Sequence, residues 1–140
     1  MGLIKFCEYG FVFLIGGVGY SLIEIGWRGY THWSMALAGG VCLMILYGIQ
    51  TSLPRGWLLR KGLVAALAVT GVEFLTGLLV NCLFQWRVWD YSALPGNILG
   101  QVCPLYSCFW FFLSIPLFWL CDRIQKLFYK NFLSEPVDMV

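Results

Sequence analysis

Apolar residues in this chain fall neither in alternation nor in a narrow helical stripe. They come in long, nearly continuous runs of about twenty, the length an α-helix needs to cross the hydrocarbon core of a bilayer. Four such runs are present, at 6–26, 33–52, 62–86 and 97–120. Short segments bearing Gly, Pro and charge separate them: Pro54 follows the second, and Pro95-Gly96 precedes the fourth. Pro104 and Pro116 within the fourth are compatible with a membrane helix whose neighbours re-satisfy the freed carbonyls. The pattern predicts an all-α, polytopic membrane protein with four transmembrane helices in a compact bundle over 1–122. A short amphipathic cytoplasmic tail over 123–140 is expected to follow, with Ile124, Leu127, Phe128 and Phe132 at helical spacing and Lys126 and Lys130 on the other face. The first run exceeds a signal-peptide core, carries Glu8 and Glu24 near its edges and lacks a small-residue cleavage site, so it is expected to stay in place.

Composition narrows the solvent and the partners. Of 140 residues, 60% are hydrophobic and only 11% are charged, against about 25% charged in an average soluble domain. A net charge of +2 gives no basic face for nucleic acid, so membrane lipids are the expected surroundings. One domain of this size leaves no room for a nucleotide-binding domain, so any ATP hydrolysis would have to come from a partner subunit. Lys and Arg divide seven to two: Lys5, Arg55, Arg60, Lys61, Arg123, Lys126 and Lys130 on one side, Arg28 and Arg87 on the other. Because cytoplasmic loops collect positive charge, both termini are expected in the cytoplasm of a bacterial inner membrane, and a dual-topology dimer is disfavoured. The six cysteines form no CxxC and are expected to behave as small apolar residues.

Polar residues inside such runs are the candidates for chemistry, because an ionisable group in lipid is costly unless it faces protein or water. Glu73 lies near the midplane, roughly 16 Å along its helix at 1.5 Å per residue. Thr70, Gly77 and Asn81 continue its face. Glu24 stands one turn before Arg28 as an acid-to-base pair, and Asn97 and Gln101 share a face of the fourth helix. His32 lies in the first outer loop, and Trp89, Asp90 and Tyr91 in the second. Together, Glu24, Arg28, His32, Glu73, Asn81, Trp89, Asp90, Tyr91, Asn97 and Gln101 are expected to line an outward-facing polar cavity with Glu73 as its floor. Small-residue pairs at Gly17 and Ser21, and at Ala36 and Gly40, offer faces for a homo-oligomer. The ends of the first and third runs also look alike, with Trp27-Arg28 and Trp86-Arg87 each followed by aromatics and serine, a weak sign of repeated helix pairs.

The motifs that carry these residues have a relative. EIGWRGYTHWSM from Glu24 to Met35, VWDYS from Val88 to Ser92, and the following Pro95, Gly96, Asn97, Gly100, Gln101 and Cys103 resemble the ABC-transporter type IV, or CmpB-like, family of small bacterial membrane permeases. The resemblance covers nearly the whole chain except the tail. It implies a transport role and singles out Glu73 and Asn81, in agreement with the polar stripe. The leading expectation is therefore a permease subunit that binds a small polar solute or a lipid headgroup. Two others stay open: an intramembrane enzyme using Glu, Asp and His acid–base chemistry, and an accessory protein whose polar residues hold the bundle together. No cofactor is expected, and a lone histidine without HExxH gives no metal site.

Overall fold

The computed structural model describes residues 2–54 and 56–130. Arg55, Phe132 and the remainder of the expected tail from 131 lie outside the described residues. Four helices span the fold: α1 (Gly2–Arg28), α2 (Trp33–Ser52), α3 (Leu58–Gly77), which continues as one π-helical segment over Leu78–Leu83, and α4 (Pro104–Phe128). All four are long and apolar enough to cross a membrane, as their composition predicts. α4 continues unbroken past Asp122, so Ile124 and Lys126 belong to the same helix as the fourth span.

α1 packs along α2 and α3 along α4, while α2 also touches both α3 and α4; α1 and α4 meet only slightly. The core lies towards the end that carries the described chain ends, where Val12, Leu46, Tyr47, Ala65, Phe118 and Cys121 are buried together. The small residues explain the closeness of the first pair. A Cβ on Gly16 would come within 2.6 Å of the Gly39 carbonyl oxygen, and one on Gly17 within 2.8 Å of the Ala36 oxygen. Gly17, Ala36 and Gly40 are thus spent on α1–α2 packing and on the Phe13 ring, which corrects the expectation that they form an oligomer face.

The fourth helix begins later than its hydropathy suggests. Pro104 occupies its first turn, where a missing N–H costs nothing, and Cys103 is its extended N-cap. Asn97 and Gln101 therefore lie in the preceding segment and not on a helix face. The twenty residues between Leu83 and Pro104 form no regular element beyond one bridge between Ile98 and Val102. Gln85, Arg87 and Leu99 take left-handed backbone angles there, as do Gly96 and Gly100. At Gly100 a side chain is excluded twice over: φ is +69°, and a Cβ would sit 2.5 Å from the Ser92 Oγ. Loops this long without regular structure are uncommon in compact folds unless they serve a function.

Candidate functional site

The long segment folds back into the bundle and is tied down by the polar stripe of α3. Glu73 is ten residues before the end of the π-helical segment, so it lies about 15 Å from that end at 1.5 Å per residue. The stripe keeps its predicted order, and each position has a partner. Thr70 Oγ1 lies 2.9 Å from Ser107 Oγ. Glu73 Oε1 accepts from the Tyr91 hydroxyl at 2.8 Å, and Oε2 accepts from the Trp110 indole N–H at 2.9 Å. Gly77 leaves the space that the Gln101 side chain fills. Asn81 donates to Gln101 Oε1 at 2.8 Å and accepts the Val88 N–H at 2.7 Å.

The π-helical turns matter to this arrangement. They retune the end of α3 so that Trp86 N–H donates to the Val80 carbonyl, and the chain then turns back towards Asn81. Single π-turns interrupting α-helices occur often at functional sites. Irregular backbone at membrane depth is tolerated only where protein or water satisfies it. Here Trp89 Nε1 donates to the Gln101 carbonyl, Gln101 Nε2 donates to the Leu99 carbonyl, and Asn97 braces the turn by bonding Leu94, Ser92 and Gly100.

Arg28 fastens the other side. Its Nη1 donates to the Val88 carbonyl at 2.8 Å, and its Nη2 pairs with Glu24 at 2.7 Å, while the second Glu24 oxygen accepts from Thr31. Val88 thus gives its N–H to α3 and receives α1 through its carbonyl. Arg28 Nε is buried without a hydrogen-bond partner. His32 caps α2 through Ser34 and packs at tilted angles against Trp33 and Trp86 in an exposed aromatic cluster. Asp90 is exposed, and the Ser92 hydroxyl and N–H both donate to its Oδ1, holding its carboxyl below the usual carboxylate range.

The ten residues chosen from sequence therefore separate into distinct places. Glu24 and Arg28 form one clamp, Asn81, Trp89 and Gln101 form a second, and Glu73 and Tyr91 share a third group lower in the bundle. Asp90 and Asn97 stabilise turns, and His32 lies with the aromatic belt. Arg28 and Arg87 do not play matching parts despite their similar contexts, since Arg28 points inward to Val88 while Arg87 is exposed.

A cavity of about 140 Å³ lies beside Glu73, among all four helices. Tyr20, Cys42, Ser114 and Trp110 line it together with a majority of aliphatic residues, and Glu73 is its one charged lining side chain among the described residues. α1 and α4 meet mainly through the ring pairs Tyr20–Trp110 and Phe11–Phe128, and between these the cavity is lined by Gly19 and the half-exposed Ile23 of α1 and by Leu113 and Leu117 of α4. Tyr20 and Trp110, whose rings pack against each other in its wall with centroids 5.8 Å apart, were not singled out by sequence. A buried indole N–H or phenol needs a polar partner, and that requirement was the available signal. Among the described residues no group of His, Cys, Asp and Glu could hold a metal ion.

The family model described as "Putative ABC-transporter type IV" matches residues 9–139, and the chain belongs to that family. Membership and four apolar helices together make it a multi-pass membrane protein related to transport. No curated protein and no solved structure matches the chain.

Proposed function

We propose that this protein is the membrane-embedded, ligand-binding subunit of a transport system, and that its ligand is held in the cavity beside Glu73. The observation that carries the reading is the position of that carboxylate. It is 6% exposed, fixed by two neutral donors, and borders an unfilled space among apolar walls. Burying a carboxylate with no opposing cation is expensive, and stability alone would be served better by an apolar residue there. The outer polar residues then act as the frame. Glu24, Arg28, Asn81, Trp89, Asp90, Asn97 and Gln101 hold the inserted segment so that Tyr91 reaches Glu73, and Tyr91 is the segment's contribution to the site. With both termini in the cytoplasm, the inserted segment faces outward and the site lies near the middle of the membrane. Energy for movement comes from a partner subunit or from a second copy.

A second reading has a specific observation in its favour. Each of the ten polar residues already has an intramolecular hydrogen-bond partner, as in an accessory protein whose network serves the bundle alone. A high-resolution density map of the protein in lipid separates the two. Non-protein density within hydrogen-bond reach of Glu73 or against Trp110 supports the ligand site. A cavity closed by α1 against α4, with no such density, supports the accessory role.

A further inference from the structure

We infer that the cleft between α1 and α4 admits, sideways from the bilayer, an amphipathic molecule with a protonated amine, whose ammonium group pairs with Glu73. This rests on the reading of the cavity as a ligand site and specifies the ligand's chemistry. Three observations converge on it. Glu73 brings a carboxylate to the cavity, and among the described residues the lining contains no Lys, Arg or His to balance it. Its two hydrogen-bond partners, Tyr91 and Trp110, are neutral, so a cation supplies what they cannot. The Tyr20 and Trp110 rings stand beside the carboxylate, and aromatic faces around a negative centre are a recurrent way of receiving an ammonium group.

The walls and the entry fix the rest of the molecule. A cavity of about 140 Å³ is close to the roughly 150 Å³ that holds one benzene-sized guest, so it takes an amine and its first few carbons, not a whole lipid. The remaining hydrocarbon lies in the gap bounded by Gly19 and Ile23 on α1 and Leu113 and Leu117 on α4. A Cβ on Gly19 meets nothing within 4 Å, which leaves the mouth open on that side. An anion is repelled by Glu73, and a fully polar solute finds no partners along the aliphatic walls.

The test uses the full chain in phosphatidylcholine liposomes and three photoactivatable probes with a diazirine near the headgroup: a dodecylamine, the matching dodecanol and the matching dodecanoate. Cross-linked peptides are mapped by mass spectrometry. The amine probe should label the α1 and α4 peptides around Gly19–Ile23 and Leu113–Leu117 roughly tenfold or more above the alcohol and the acid, since only it can ion-pair in a low-dielectric site. Glu73→Gln should bring amine labelling down to the alcohol level, and Gly19→Trp, which fills the mouth and leaves the carboxylate intact, should abolish it. Equal labelling by amine and alcohol, unchanged in Glu73→Gln, overturns the amine inference and leaves the cavity as a site for neutral chains. If none of the three probes labels the lining peptides, the inference and the ligand-site reading both fall.

Discussion

Asn81 and Gln101 meet side chain to side chain at 2.8 Å, joining the end of the third membrane helix to the last turn of the segment that precedes the fourth. Asn81 spends its other end on the Val88 N–H, so one residue holds both halves of the inserted segment. Asn81→Leu should leave the Val88 N–H and the Gln101 oxygen without partners, each at about 1–3 kcal/mol. Denaturant unfolding in detergent should show a loss of roughly 2–4 kcal/mol. Gly77→Ala should reproduce part of it by pushing Gln101 aside, because its Cβ would lie 2.5 Å from Gln101 Oε1. A loss under about half a kcal/mol in Asn81→Leu, the size of an ordinary surface change, would show that the segment is held by other means.

Arg28 is expected to tolerate no conservative replacement. Its guanidinium serves Val88 and Glu24 with two separate nitrogens, a fork that the single ammonium of lysine cannot copy. Arg28→Lys should therefore free the inserted segment and admit a protease between Trp86 and Gly100, while the helical content stays unchanged. Cleavage at the wild-type rate would remove Arg28 from the clamp.

Acid should loosen the turn at Asp90 before it affects the bundle. Its carboxyl titrates lower in the fold than in the unfolded chain, so its contribution is present above the unfolded value of about 3.9 and is lost as pH falls through the folded value. Hydrogen exchange of the Ser92 amide, which donates to Asp90, should speed up below about pH 4 in the wild type. In Asp90→Asn that acid-dependent step should be absent. An identical acid response in both proteins would show that another group controls the turn.

The proposed orientation, with both termini in the cytoplasm, rests on the charge count and is directly testable. In a background freed of its cysteines, Cys at Ser92 should react with an impermeant reagent from outside the cell, and Cys at Lys126 only after the membrane is opened. Both positions are exposed. The reverse labelling would invert the topology.

The spans were legible because twenty consecutive apolar residues have few alternatives to a membrane helix. Glu73, Thr70, Gly77 and Asn81 were legible as a stripe for the same reason: polar groups stand out against that background. The start of the fourth helix was misplaced by seven residues because hydropathy continues through Ile98, Leu99 and Val102, although Pro104 carried the correct signal for a helix start. The inserted segment was not legible at all. Its anchors include the Val88 N–H and carbonyl, and backbone groups have no identity in sequence. Trp110 and Tyr20 were passed over because aromatic residues are common in membrane helices, and only the fold shows them facing a carboxylate.

The ligand site at Glu73 is tested most directly by native mass spectrometry of the protein released gently from the membrane in which it is expressed. The wild type should carry a small-molecule adduct that is missing from Glu73→Gln, with both proteins equally folded by circular dichroism. Spectra of the bare chain in both, or the same adduct at the same occupancy in both, would contradict a ligand held by Glu73.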